Sequence, residues 1–484
     1  MTQTSSARPA DIPVGAAATT NPWRALAVIL TGAFMASVDG FIVLVGAPAI
    51  QANLHATGAE IQLLVAGYQL TYAIGLITGA RLGDLYGRKR MFMIGMTVFT
   101  IASAACGLTP GIAFLVGARL VQGAGAAMMF PQIFATIQVL LVPERRSAAF
   151  GALGAVLGVA TTIGQIVGGL LISADILGTT WRPLFLVNIP IGIVALTLCA
   201  VLVPESKAPK ATKLDLAGVG VLTVALFLLV VPLIEGQQAG WPVWVWPSLA
   251  VSLLAFAGFA ALERRVEARG GAPLISLRLF GDKAFTMGLV LVVVAFSVVY
   301  SVSLVLSLTL QDGIGLSALG AALVYTPLAA SFFAASLLAA KLTQRFGPRV
   351  LQIGAIVSAL GFLAMIIAAA ASGDRLSYGQ LIPSLVLIGA GNGLLLPQLF
   401  NAVLSRIGLA EVGMASGVLS TSQQVGGALG VAVVGVVFYH VLGHARPHDV
   451  GAYASALEFG VLCNLVAAVV AIILVYTLPK PAKR

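Results

Sequence analysis

Long apolar stretches, nearly free of charged residues, constrain the fold of this chain more than any other feature. An α-helix needs about 20 apolar residues to cross the hydrocarbon core of a bilayer. Of the 484 residues, 59% are hydrophobic and only 9% are charged, whereas soluble domains carry about 25% charged residues. Backbone polar groups within lipid must be satisfied internally, and runs of this length favour helices over the alternating strands of a barrel. The sequence therefore predicts an all-α integral membrane protein.

Apolar length places about fourteen spans along the chain. We put them at roughly 24–47, 60–80, 91–107, 111–138, 148–173, 181–203, 214–234, 243–262, 284–310, 317–340, 350–371, 379–404, 413–439 and 453–477. With both termini on one side, 23 of the 27 Lys and Arg residues fall on that side, and only Arg119 lies within a span. Because positive charge concentrates on the cytoplasmic side, this predicts a multi-pass protein of the cell membrane with both termini in the cytoplasm. The net charge of +10 then reflects topology, and we expect no nucleic-acid partner.

An internal repeat divides the chain into two halves. Residues 123–134 read GAGAAMMFPQIF, and residues 389–400 read GAGNGLLLPQLF. We predict six-helix bundles over 24–203 and 284–477, with two inserted helices and their linkers over 204–283. The ends, 1–23 and 478–484, read as cytoplasmic tails, the first of them disordered. Parallel repeats of this kind place a binding site between the halves, near the midplane of the membrane.

A concentrated basic segment, GARLGDLYGRKR, occupies residues 79–90 between two apolar runs. Such charge density belongs at a membrane surface, because each Arg or Lys in hydrocarbon costs about 3 kcal/mol. The segment could be an ordinary positively charged loop. Its spacing, however, resembles the signature loop between helices 2 and 3 of the major facilitator superfamily. The resemblance implies a conformational latch on the cytoplasmic side, with Asp84 at a helix N-terminus of the other half. The latch residues would be Gly83, Asp84, Gly87, Arg88 and Lys89.

The layout of six, two and six helices resembles the fourteen-helix drug:proton antiporter branch of that superfamily. A glycine-rich part of the fifth span resembles the helix-5 motif of its exporters, through Gly158, Gly164, Gly168 and Gly169. Gln165 stands where that motif has proline, and close helix packing alone would also explain the glycines. The resemblance implies a monomeric exporter of hydrophobic small molecules in the lipid bilayer. Its energy source would be the proton gradient, with no cofactor.

Asp39 and Arg119 are the candidate proton-coupling residues. Asp39 lies in the middle of the first span, where a carboxylate is expensive and burial favours its neutral form. Arg119 is the one base within a span, and it matches an arginine of the family's helix-4 motif that is implicated in proton transfer. We predict that the two form a pair, which could equally be a purely structural ion pair.

Further polar and adaptable residues could line a substrate cavity. Met and aromatic side chains suit promiscuous binding, although most such residues in a span simply pack, and amides in spans often bond between helices. The predicted cavity residues are Phe34, Met35, Phe41, Gln132, Gln165, Gln398, Asn401 and Gln424.

Several classes of function lack sequence support. The chain has no phosphate-binding G-x-x-x-x-G-K-[ST] loop and no hydrolase or zinc-protease motif, so we expect neither an ATP-driven pump nor an enzyme. Its three cysteines have no metal-ligand spacing, and we predict no metal site. Two alternatives remain open on the same fold: a lipid-handling or regulatory membrane protein, and an importer of a small metabolite.

Overall fold

The computed structural model describes residues 21–175, 178–207, 215–269, 271, 273–275, 277–347, 349–404 and 412–477. Within these ranges the chain forms helices joined by short loops and contains no strand. The predicted terminal tails, apart from residues 21–23, lie outside the described residues.

The first half of the chain contains seven helices. They are α1 (Pro22–Leu54), α2 (Gly58–Tyr86), α3 (Arg88–Gly107), α4 (Ile112–Leu140), α5 (Pro143–Ser173), α6 (Pro183–Leu186) and α7 (Asn188–Leu202). Helices α6 and α7 follow one another within a single span. Helix α2 begins with a capping box, in which Thr57 and Glu60 satisfy each other's backbone N–H groups.

Two helices follow as a hairpin, and the second half contains seven more. The hairpin is α8 (Leu216–Gln238) and α9 (Val245–Ala268). The second half is α10 (Lys283–Leu308), α11 (Ala318–Val324), α12 (Thr326–Phe346), α13 (Arg349–Ser372), α14 (Tyr378–Leu404), α15 (Val412–Leu442) and α16 (Val450–Thr477). Helices α11 and α12 also share one span.

Thirteen helical segments of the described chain are long and apolar enough to cross a membrane. Helix α5, with 31 residues, is a further helix of membrane-spanning length. The prediction of an all-α membrane protein with about fourteen spans is confirmed. The predicted boundaries were wrong at the basic segment, where α2 continues to Tyr86 and α3 begins at Arg88. The turn is therefore the single residue Gly87, whose φ of +113° favours glycine.

The internal repeat corresponds to a repeated packing arrangement. A Cβ on Gly125 of α4 would meet the α3 backbone at Phe99, and one on Gly391 of α14 would meet the α13 backbone at Ser358. In the same way Gly164 of α5 packs on the backbone of α1, and Gly430 of α15 packs on that of α10. The glycines allow the close approach of backbones that larger residues would prevent.

The halves meet mainly through α2 against α15, α5 against α11, and α1 against α10. We call the end that carries Gly87 the basic end, and the other the opposite end. Several contacts between the halves gather toward the opposite end. Gln311 donates to the Val45 carbonyl at 2.9 Å, and the Leu319 N–H donates to Ser173 Oγ at 3.2 Å.

Candidate functional site

A buried ion pair lies inside the first half. Arg119 on α4 donates from Nη1 to Oδ2 of Asp39 on α1, and both side chains are buried almost completely. The structure thus brings together the two residues that we predicted to pair. A buried pair of this kind is tolerated only when further hydrogen bonds satisfy its remaining groups.

Neutral polar side chains complete that pair. The Gln122 and Asn188 amides each donate to Asp39 Oδ1, at 2.9 and 3.1 Å. Both amides also donate to Ser103 Oγ, at 3.1 and 2.9 Å, and Gln122 Oε1 accepts from Arg119 at 2.8 Å. We call these five residues the Asp39 network.

The donor pattern in this network fits an ionised Asp39. The three side chains that hydrogen-bond to its carboxylate in the described chain all donate. A neutral Asp39 would carry an O–H group, and none of these partners, as oriented, could accept it. Arg119 cannot accept at all, so protonation must either break its contact with Asp39 or turn an amide.

Aromatic rings enclose the guanidinium. The Tyr68 ring centroid lies 4.0 Å from Arg119 Cζ, and the Phe185 ring lies 5.7 Å from it. The Tyr68 hydroxyl donates to the Ala36 carbonyl at 3.1 Å, which fixes the ring beside the cation. Cation–π contact stabilises Arg119 by about 2 kcal/mol when water is excluded. In this conformation the network is sealed from solvent.

The residues after Asp39 connect the network to the second half. Phe41 stacks on Tyr300 of α10, with ring centroids 4.8 Å apart. The Tyr300 hydroxyl and the Gln69 amide both lie within 4 Å of the point where a Cβ on Gly40 would stand. Gln62, two turns before Gln69 on α2, is buried beside Gly435 of α15, and its amide has no hydrogen-bond partner among the described residues. Buried amides of α2 therefore face both α10 and α15 of the second half.

Of the predicted cavity residues, Phe41 lies at the contact between α1 and α10. Two others, Gln132 and Met35, lie within the first half. In this conformation Gln132 Nε2 donates to the Gly79 carbonyl at 2.7 Å and ties α4 to α2 within the first half. Met35 is buried in the core of that half. The role of both residues in a substrate cavity stays a prediction.

Four of the five remaining cavity candidates are partly or fully buried. Phe34, Gln398 and Gln424 are half-buried, and Gln165 is buried on α5. The Gln424 Oε1 atom has no hydrogen-bond partner in the described chain. Asn401 lies on α14, and its side chain is outside the described residues. Their role in binding remains a prediction.

The basic segment contacts a residue that the sequence did not indicate. The Glu205 carboxylate, beyond the end of α7, accepts from the backbone N–H groups of Lys89 and Arg90, both at 3.1 Å. These N–H groups have no acceptor within α3 because they lie in its first turn, where an anion is favoured. Lys89 Nζ also donates to the Ala200 carbonyl at 2.7 Å.

In this conformation Asp84 pairs with Arg88 at 2.9 Å, one turn away. The predicted contact of Asp84 with a helix N-terminus of the other half stays a prediction. Glu205 occupies the N-terminus of α3, the next helix along the chain. Gly83 does permit close approach, since a Cβ there would meet the Gln132 side chain.

The glycines of α5 lie at helix contacts. Gly164 and Gly168 pack on α1, at Val38 and Ile42, whereas Gly169 packs on α11 across the junction of the halves. Gly158 lies on the same helix, which runs without a break from Pro143 to Ser173. Close packing therefore explains three of the motif residues, and one of them contributes to the contact between halves.

The residues that sequence reasoning missed are mostly neutral and polar. The signal was helical spacing: Gln122 follows Arg119 by three residues and so shares its helix face. Ser103 and Asn188 had no such signal, because no charged or amide residue lies within four positions of either in the sequence.

Comparison with known proteins decides the family. The model of the Major Facilitator Superfamily matches residues 29–431. The chain belongs to the major facilitator superfamily. It is a transporter and not an enzyme, and the predicted fold and family are both confirmed.

Relatives of this transporter include proteins named for antibiotic export or resistance. It is 40% identical over 434 residues to a probable actinorhodin transporter of Streptomyces coelicolor, covering 90% of this chain and 75% of that protein. It is 33% identical to the tetracenomycin C resistance and export protein of Streptomyces glaucescens, covering 88% and 78%. It is also 33% identical to the multidrug resistance protein Stp of Mycobacterium tuberculosis, covering 92% and 82%.

Solved structures show the same fold at low identity. A POT family transporter in complex with a thioalcohol-conjugated peptide matches with a TM-score of 0.69 and 14% identity, over 94% of this chain and 97% of that one. An inward-facing, occupied bacterial homolog of the human lysosomal transporter Spinster matches with a TM-score of 0.68 and 16% identity, over the same shares.

Proposed function

We propose that this transporter is a proton-coupled exporter of hydrophobic drugs or natural products, which works by alternating access. The names of its relatives support export, and its 23 Lys and Arg residues on one side support a cell-membrane location with both termini in the cytoplasm. The observation that carries the proton coupling is the Asp39 network, in which the partners of a buried carboxylate in the described chain all donate.

Proton uptake at Asp39 would change the network in a defined way. The proton removes the charge that attracts Arg119 and occupies an oxygen that had accepted a hydrogen bond. Arg119 then loses its ionic partner and keeps its contact with the Tyr68 ring. Because Phe41 lies two residues after Asp39 and stacks on Tyr300, a shift of α1 reaches the second half directly.

Inside-out membrane vesicles with an imposed pH gradient test this proposal. Actinorhodin and tetracenomycin C, which the names of two relatives specify, serve as probes together with the cationic dye ethidium. We expect the native chain to accumulate at least one probe in response to the gradient. Asp39→Asn should reduce this accumulation to background, because an amide cannot exchange a proton.

Glu458→Gln on α16 is the matched control, since it removes an acid from another membrane helix. It should leave accumulation unchanged. Full gradient-driven uptake by Asp39→Asn would contradict the proposed coupling. Probe movement in the direction of import would contradict export.

A further inference from the structure

Two acids meet at the basic end of the inserted hairpin. Asp215 directly precedes α8, and its Oδ1 accepts from the Gly218 N–H at 2.8 Å. Glu263 lies in the last turns of α9 and is fully buried, and its Oε2 accepts from the Ile275 N–H at 3.0 Å. One oxygen of each carboxyl group is thus used in holding the backbone.

The other two oxygens face each other without a donor. Asp215 Oδ2 and Glu263 Oε1 lie 2.7 and 2.5 Å from the point where a Cβ on Gly218 would stand. Both atoms are buried, and neither has a hydrogen-bond partner among the described residues. Two carboxylates cannot both ionise at such a site, because like charges in a low-dielectric environment repel strongly. The missing donor is therefore a proton shared by the pair.

The pair lies beside a residue of the basic segment. Arg81, near the end of α2, donates to the Pro273 carbonyl, which belongs to the short segment that Glu263 holds at Ile275. The acidic groups that face the Arg81 guanidinium are Glu263, Asp215 and Asp84.

Other elements near the pair add little charge. One turn further along α9, Glu267 is paired with Arg278 at 2.7 Å. Helix α15 also packs on α8, and the chain has no charged residue from 412 to 439. Arg264 and Arg265 follow Glu263 on α9 but are exposed to solvent, so the buried charge that opposes the carboxyl pair is mainly that of Arg81.

We propose that Asp215 and Glu263 form a second proton-binding site, separate from Asp39, whose occupancy sets how strongly the inserted hairpin holds Arg81. Loss of the shared proton adds a negative charge and draws the basic end of α2 to the hairpin. Uptake of the proton weakens that attraction and frees this end of α2 to move. The site itself does not depend on the proposed function, whereas its use in transport rests on it.

Distance measurement by electron spin resonance tests this assignment on the full chain in lipid nanodiscs. Spin labels replace Tyr86 and Phe346, which are exposed at the basic ends of α2 and α12. The three native cysteines are first replaced by alanine. All variants carry Asp39→Asn, so that the first proton site is silent, and the label distance is recorded from pH 5 to pH 9.

We expect the label distance in this background to change with pH. Adding Glu263→Gln should abolish the change, because an amide can accept from Ile275 and donate to Asp215 without a proton. Asp215→Asn should have the same effect. Glu267→Gln is the matched control, since it removes an acid one turn away on α9, and it should leave the change intact.

Two results would overturn the proposal. One is a label distance that does not depend on pH once Asp39 is replaced. The other is a dependence that persists after Glu263→Gln in a variant with an unchanged melting temperature. If the transport assay fails but the label distance still changes with pH as expected, the proposed function is rejected and the proton-binding site is still supported.

Discussion

At the scale of single residues, the Asp39 network explains how two charges are tolerated inside a membrane helix bundle. Each N–H of the Gln122 and Asn188 amides has an acceptor, and the Ser103 hydroxyl donates a hydrogen bond to the Phe185 carbonyl at 2.9 Å. Replacing one charged residue of such a network should destabilise the protein more than replacing both, because removing one partner leaves a buried charge.

This gives a prediction about Arg119. Arg119→Gln should lower the free energy of unfolding by about 3–5 kcal/mol, because it leaves the Asp39 carboxylate buried without its cation. The double variant with Asp39→Asn should be more stable than this single variant, since no charge remains. Thermal unfolding in detergent at pH 8 measures both. A double variant as unstable as Arg119→Gln would contradict the ionised state of Asp39.

At the scale of helices, glycines decide how closely α4 and α14 approach their neighbours. A Cβ on Gly123 would meet Thr71 Oγ1 at 2.3 Å and the Tyr68 carbonyl at 2.6 Å. In the second half a Cβ on Gly389 would meet the Leu328 carbonyl at 2.1 Å. The repeat has therefore preserved the same contact at the same helix position.

Valine at either glycine should prevent correct packing. We expect Gly123→Val and Gly389→Val to give little monodisperse protein, because the added atoms collide with backbone carbonyls that cannot move alone. Gly117→Val on α4 is the control, since a Cβ there meets nothing within 4 Å. Size-exclusion chromatography of the three variants checks this, and equal yields from all of them would contradict it.

The basic segment makes a second prediction at this scale. Glu205→Ala should speed hydrogen exchange at the Lys89 and Arg90 amides by tenfold or more, because a hydrogen bond to a charged group contributes about 1.5–3 kcal/mol. Asp84→Asn should have a much smaller effect there, since that carboxylate pairs with the Arg88 side chain. Hydrogen exchange followed by mass spectrometry measures both variants. Equal effects of the two variants would contradict a special role of Glu205, because they would mean that Asp84 stabilises the start of α3 as much as Glu205 does.

At the scale of the whole molecule, the contacts between halves at the opposite end predict that a cross-link there stops transport. In a cysteine-free background, Ser173→Cys with Leu319→Cys should form a disulfide, because Ser173 Oγ lies 3.2 Å from the Leu319 nitrogen. Oxidation should abolish probe accumulation, and reduction should restore it.

The control for the cross-link is a pair within the hairpin, Ala225→Cys with Ser252→Cys, which joins α8 to α9 at a contact of 2.7 Å. Its oxidation should leave accumulation unchanged. Undiminished transport by the oxidised Ser173 and Leu319 pair would mean that this end need not open.

Much of this architecture could be predicted from the sequence, for physical reasons. The length of the apolar runs predicts the membrane spans, and the excess of Lys and Arg on one side predicts their orientation. The duplicated glycine-rich segment predicts the division into two halves. Asp39 and Arg119 could be found because charges within spans are rare. Ser103 and Asn188 could not, because neutral polar residues are common in spans and only folding brings these two together. Glu205 lies 116 residues from Lys89, and no local pattern connects them.

The inserted hairpin has a consequence for how cargo could reach the space between the halves. Helix α8 contacts α2 of one half and α15 of the other at the same time. It therefore covers the seam through which a lipid-dissolved molecule would slip sideways from the bilayer. Under the proposed function, a cargo dissolved in the membrane would therefore approach at the other seam between the halves, where α5 meets α11 and α12.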